Sequence, residues 1–179
     1  MNTYRVYRAN KQGNGTAAEW QLSFKQQEKY LPWKLFFTIA TQAGTNDNGN
    51  ARFDWENAIK VKMEVTDLCE ILAVLEHKQQ QAGNGGKIFH KRGDENKIIT
   101  FFHNEEHNNY FLKVSHQSAA GVIAYQQNMS IAEGCALRVL IEHAIVKLSN
   151  WGVRGADKNY QKENMQIPTP TKNGFQQAI

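Results

Sequence analysis

The chain has 179 residues and a formal net charge of +4, enough for one domain with a real core. Hydrophobic residues at 41% and aromatics at 11% exclude disorder for the bulk of it. No apolar run approaches the ~20 residues of a membrane helix, and the opening MNTYRVYRAN lacks the apolar stretch of a secretory signal. Asparagine and glutamine together make up about 18% of the residues, more amide than an ordinary domain carries.

Residues 4–8 alternate weakly and read as a short strand, followed by a turn over 9–16 with Gly13 and Gly15 as breakers. A strand is predicted over 17–25, with Trp20, Leu22 and Phe24 on one face. Pro32 ends the next connection. The clearest strand is 33–42: Trp33, Leu35, Phe37 and Ile39 line one face, Lys34, Phe36 and Thr38 the other. The loop 44–50 (GTNDNGN) suits a hairpin. Residues 51–64 return as one long strand ending in strict alternation, Ile59-Lys60-Val61-Lys62-Met63-Glu64. Asp54 and Glu56 then share a strand face. A helix follows with Thr66 as N-cap and Leu68, Ile71, Leu72 and Leu75 as its apolar stripe, stopping near Lys78 before a linker at 79–86.

The second half repeats the plan. Strands are predicted over 87–92, 97–103, 109–116 and 120–127. A second helix runs from Ser130 to about Asn150, opened by the Ser130-x-x-Glu133 capping box. It is apolar on most sides, so several neighbours should bury it, another subunit among them. After Trp151-Gly152 the periodicity disappears, and 153–179 reads as a flexible tail on a domain spanning 1–152. Consecutive strands joined by short polar turns imply antiparallel meanders. The fold class is α+β: two antiparallel four-stranded sheets and two helices, ββββα given twice.

The chemistry-bearing residues sit on strand faces. Lys60 and Lys62 share a face, Lys34 shares one with Phe36, Lys113 lies between Phe111 and Ser115, Lys97 lies with Ile99 and Phe101, and Lys87, Phe89 and Lys91 alternate. Cations interleaved with rings suit single-stranded nucleic acid, because ammonium groups neutralise phosphates while rings accept unpaired bases. A half-buried sheet with a solvated face gives the same alternation. The spacing His103-x-x-x-His107 falls in a hairpin turn, so no metal is expected there. No nucleophile elbow, phosphate loop or dinucleotide fingerprint occurs, and no cofactor is expected. Cys69 and Cys135 sit in apolar helical patterns and read as buried, reduced thiols.

Four segments then carry a resemblance: RFDWENAIKVKMEVTDLCEIL (52–72), KIFHK (87–91), NYFLKVS (109–115) and MSIAEGCALRVLIEHAIVKLSNW (129–151). In this order they resemble the plant Whirly single-stranded-DNA-binding proteins over roughly residues 33–152. Phe53-Asp54-Trp55-Glu56 matches that family's strand leading into the first helix, Ile88-Phe89-His90 and Tyr110-Phe111 its later strands, and Asn150-Trp151-Gly152 the end of its second helix. The family's Lys-Gly-Lys-Ala-Ala-Leu segment has no counterpart; residues 20–25 occupy that region. The resemblance implies a Whirly-like fold, a homotetramer, and single-stranded DNA held along and between the sheets. Related folds in kinetoplastid mitochondrial proteins bind RNA.

The expected function is a non-enzymatic, largely sequence-independent single-stranded DNA binder. An RNA binder on the same fold and a protein-interaction module are the alternatives. Phe36, Trp55, Phe102, Tyr110 and Phe111 are the expected stacking rings, and Lys34, Lys60, Lys62, Lys97 and Lys113 the phosphate contacts. A symmetric tetramer would carry about +16. With no transit peptide ahead of the domain, a cytoplasmic bacterial or phage protein is expected, a mitochondrial one being the alternative.

Overall fold

The structure is a computed structural model that describes residues 2–25 and 33–149. The tail expected over 153–179 and the Asn150-Trp151-Gly152 helix end lie outside these residues. The first half forms β1 (Asn2–Arg8), β2 (Thr16–Phe24), β3 (Trp33–Thr45), β4 (Ala51–Phe53), β5 (Ile59–Met63) and α1 (Val65–Leu75). The second forms β6 (Ile88–Arg92), β7 (Glu95–Asn104), β8 (Asn109–Ser118), β9 (Gly121–Ser130) and α2 (Ile131–Leu148).

Every pairing is antiparallel. The first sheet runs β1-β2-β3-β5, with the short β4 paired to the far end of β3; the second runs β6-β7-β8-β9. The single strand expected over 51–64 is in fact two. Asp54 closes a side-chain turn, its Oδ1 accepting from Asn57 N at 3.1 Å and its Oδ2 from Asn57 Nδ2 at 2.8 Å, which breaks the ladder. Those bonds from Asn57 also hold the Asp54 carboxyl below its ordinary pKa. Asp54 and Glu56 therefore sit in a turn, not on a strand face.

One core serves both halves. Trp20, Leu22, Leu35, Phe37, Ile39, Ile59, Val61 and Met63 point inward from the first sheet, and Ile99, Phe101, Tyr110, Leu112 and Val114 from the second. Trp20 and Phe37 pack with tilted rings, centroids 4.7 Å apart. The inward faces follow the period-2 pattern, which leaves the opposite face of each sheet outside, except where Ala17, Thr38 and Ala40 are buried on the first.

α1 begins two residues earlier than expected. Its N-cap is Glu64, whose backbone N–H donates to Asp67 Oδ2 at 2.8 Å. It ends at Leu75, not Lys78, because His77 adopts a left-handed φ of 55°. The segment expected as a linker packs against β7: Ala82 N donates to the Phe101 carbonyl at 2.8 Å and His103 N to the Gln80 carbonyl at 2.9 Å. Glu70 anchors it, accepting from Gln79 Nε2 at 2.8 Å and Gly83 N at 3.0 Å.

α2 has the expected capping box: Glu133 N donates to Ser130 Oγ at 3.2 Å and Ser130 N to Glu133 Oε2 at 2.7 Å. Within one chain it is buried on one side. Gly134, Leu137, Ile141, Ala144 and Ile145 face the core, while Ala132, Cys135, Ala136 and Val146 are exposed and Val139 is 67% exposed. One chain covers one face only. Cys69 and Cys135, expected inside, are both exposed free thiols.

Gly134 is where α2 meets the second sheet. A Cβ there would stand 2.2 Å from Tyr110 Cε2, so only glycine permits this approach. Gly134→Ala should lower stability by about 1–2 kcal/mol, overpacking outweighing the gain in helix propensity. A reduced urea midpoint at unchanged slope would report it.

Candidate nucleic-acid interface

The outward face of the first sheet is ordered by register. One row across it reads Arg5, Glu19, Thr38, Lys60, and the next reads Thr3, Gln21, Phe36, Lys62. Lys60 Nζ lies 4.5 Å from the centroid of the Phe36 ring. Lys34 continues the Phe36 face and is half-buried. Arg5 pairs with Glu19 and places its guanidinium 5.8 Å from the Trp55 ring, so Trp55 lies near this row while staying partly open.

The outward face of the second sheet carries Phe89 and Lys91 from β6, Ile98, Thr100 and Phe102 from β7, Phe111 and Lys113 from β8, and Gln126 and Asn128 from β9. Phe102 and Phe111 are directly paired in register, with ring centroids 4.9 Å apart. Each is half-buried by the other, and Lys113 is exposed beside them. Phe89 is 56% exposed.

The two faces meet where β5 approaches β6 and β7. There Lys97 Nζ donates to the Lys60 carbonyl at 3.1 Å, a link from one sheet to the other. Around it opens a groove of about 610 Å³. Lys60, Lys62, Lys91, Arg92 and Lys97 line it, with Phe36 and Phe89 as its rings. Against these five cations stand Glu64, 2.8 Å from Lys62, and Glu95, 3.4 Å from the His116 imidazole. The surplus is positive. His90 lies at the wall, its Nε2 3.1 Å from Asp67 Oδ2.

Of the contact residues expected from the sequence, the structure brings Phe36, Lys60, Lys62 and Lys97 together in one groove. Lys34 and Trp55 lie on the adjoining sheet face, and Phe102, Phe111 and Lys113 on the neighbouring one. Tyr110 does not belong with them. It is 2% exposed, pinned under Gly134, with its hydroxyl 3.4 Å from the Leu75 carbonyl. Burial, and then the nearby Cys135, raise its phenol pKa. Adjacent Tyr110 and Phe111 point to opposite faces, and the strand pattern alone did not say which was inward. The expected site omitted Phe89, Lys91 and Arg92, although the Lys87-Phe89-Lys91 alternation carried the signal.

Among the described residues no group of three or more His, Cys, Asp or Glu is placed to hold a metal ion, and no helix is long and apolar enough to cross a membrane. His103 packs not on His107 but on His77, ring centroids 4.6 Å apart.

No family model matches the sequence, and no curated protein matches it. Solved structures match the fold. WHY3 from Arabidopsis thaliana superposes with a TM-score of 0.65 at 11% identity, covering 91% of this chain and 97% of that one. Trypanosoma brucei MRP1/MRP2 superposes with a TM-score of 0.58 at 16% identity, over 85% and 87%. A guide-RNA-binding protein complex bound to a guide RNA superposes with a TM-score of 0.56 at 15% identity, over 83% and 92%. The chain has the Whirly fold.

A single strand bound in this groove would meet Lys60 and Lys62 with its phosphates. Replacing both with alanine should reduce the slope of log affinity against log salt by about 1.4, at 0.7 per contact on a single strand. Fluorescence anisotropy of a labelled oligonucleotide at several salt concentrations measures it, and the unfolding midpoint should stay nearly constant.

Proposed function

We propose that this chain binds single-stranded nucleic acid, DNA in the first instance, largely without regard to sequence and without catalysis. The observation that carries the reading is the groove at the β5–β6 junction, where five cations surround two accessible rings. The strand backbone would follow the cations, while bases stack on Phe36 and Phe89 and on the Phe102–Phe111 pair of the adjoining face, at about 1–3 kcal/mol per stacked base. The shared fold supports the reading, as does the resemblance of residues 33–152 to single-stranded-DNA-binding proteins. RNA is the second reading, favoured by the matching guide-RNA-binding complex.

The chain would act as a homo-oligomer. Ala132, Ala136, Val139 and Val146 lie on the exposed side of α2 at spacings of four, three and seven, with Cys135 beside them. That spacing forms an apolar seam, which a second copy would cover. Association would join the fields of several grooves and raise the local positive potential.

A labelled poly-dT oligomer should bind at low salt, with a log–log salt slope of up to about −3.5 if all five groove cations meet phosphates. Absent binding at low salt sinks the proposal. Competition with a matched poly-U oligomer decides between DNA and RNA, since only RNA offers a 2′-hydroxyl. Light scattering should give a multiple of the 20.4 kDa chain mass, and Val139→Asp should shift it towards the monomer by placing a charge in the seam.

A further inference from the structure

β9 is an edge strand. It pairs with β8 on one side and, among the described residues, with no strand on the other. Sheet edges are ordinarily blunted by charge, proline or a bulge. The other edges of the two sheets follow that rule: β1 carries Arg5 and Arg8, β4 Arg52, β5 Lys60 and Lys62, and β6 Lys91 and Arg92. β9 does not. Its sequence, GVIAYQQNMS, holds no charge and no proline. Its register with β8 runs without a bulge, from Gly121 opposite Ser118 to Ser130 opposite Asn109.

The two halves of this edge differ. The second half is closed by the first sheet, where Thr16 Oγ1 donates to the Gln126 carbonyl at 3.0 Å. Gln127 and Met129 are buried there, Gln127 with its Nε2 lacking a hydrogen-bond partner among the described residues. The first half is open. Gly121, Val122, Ile123 and Ala124 are all exposed, Val122 at 66% and Ile123 at 45%. The bond from Thr16 also fixes which backbone groups face outwards. In an antiparallel pair, alternate residues turn both N–H and C=O away from the neighbouring strand. The Gln126 carbonyl points away from β8, so the N–H and C=O of Ala124 and Val122 point away as well. No described residue bonds to them.

These features suit a second copy of the same edge. Antiparallel pairing about a two-fold axis at Ile123 sets each Val122 opposite an Ala124, and every one of the open backbone groups finds a match. The two Ile123 side chains then meet on the axis as a non-hydrogen-bonded pair, with Cβ atoms ~4.5–5.5 Å apart. A two-fold contact of this kind needs a self-complementary patch, and β9 brings no like charges together. Self-pairing of β1, β5 or β6 would oppose arginines or lysines, which is unfavourable. Nucleic acid finds no cation on this strand.

We infer that the open half of β9 is an interface between copies of this chain, through which two second sheets join edge to edge into one continuous sheet. The inference is independent of the nucleic-acid function, and it uses different residues from the α2 seam. So short a pairing is weaker than a standard interface, and it shows as an association that depends on concentration.

Sedimentation velocity over a range of concentrations tests this on Val139→Asp, which removes the seam. That variant should still dimerise at high concentration. Adding Ala124→Pro should weaken the dimer by about tenfold. The Ala124 N–H faces away from β8, so proline costs no bond in the ladder, and edge strands accept it. Ile123→Lys should abolish the dimer by setting like charges on the axis, and so should Ile123→Glu. An equimolar mixture of these two should restore it, which neither misfolding nor lost apolar area can produce. A dimer unchanged by Ala124→Pro and Ile123→Lys overturns the inference, as does a Val139→Asp variant that is monomeric at every concentration. If Ala124→Pro lowers poly-dT affinity while the mass stays unchanged, the edge serves the nucleic acid and the inference is overturned as well.

Discussion

The close contact between Tyr110 and Gly134 is the constraint on which the arrangement depends. The phenol ring fills the space that any side chain at position 134 would need, and this lets α2 lie against the second sheet. On the other side, Tyr4 Oη reaches from β1 to the Glu133 carbonyl at 3.1 Å, so the same turn of α2 holds the first sheet too. Both inward faces are thereby closed over one core. The outward faces, with their lysines and rings, are what remains for a partner.

Electrostatics follow from this geometry more than from composition. A formal charge of +4 is modest, and several cations are neutralised locally, as Arg5 is by Glu19 and Arg138 by Glu76 and Glu142. The groove differs because β5 brings Lys60 and Lys62 to the place where β6 brings Lys91 and Arg92 and β7 brings Lys97. Charges spread along the sequence from Lys60 to Lys97 act there as a single field.

Much of the fold was legible in the residues. Alternation of period two located the strands, and Ser130-x-x-Glu133 located the start of α2. The failures have physical causes. Ile59–Met63 alternates strongly enough to suggest a strand running back through 51–58, but the Asp54–Asn57 turn intervenes. Tyr110 and Phe111 are equally aromatic, and only the approach of α2 decides which is covered. α2 is apolar around much of its circumference, which a sequence cannot divide between a face packed within the chain and a face left open. The contact between β2 and β9 was least visible, because Thr16 and Gln127 lie 111 positions apart. The excess of amides was legible as composition; where one of them would be buried unpaired was not.

The bond from Lys97 to the Lys60 carbonyl has a consequence for recognition. A lysine ammonium carries three donors, and here one is committed within the protein. Two remain, and in the proposed function they would serve a phosphate. The long side chain is already held, so much of the roughly 2 kcal/mol of rotamer entropy it carries is given up in folding and need not be lost on contact. Under the proposed function Lys97 would be pre-organised beneath a bound strand, whereas the exposed Lys91 and Arg92 would still have to be ordered on contact.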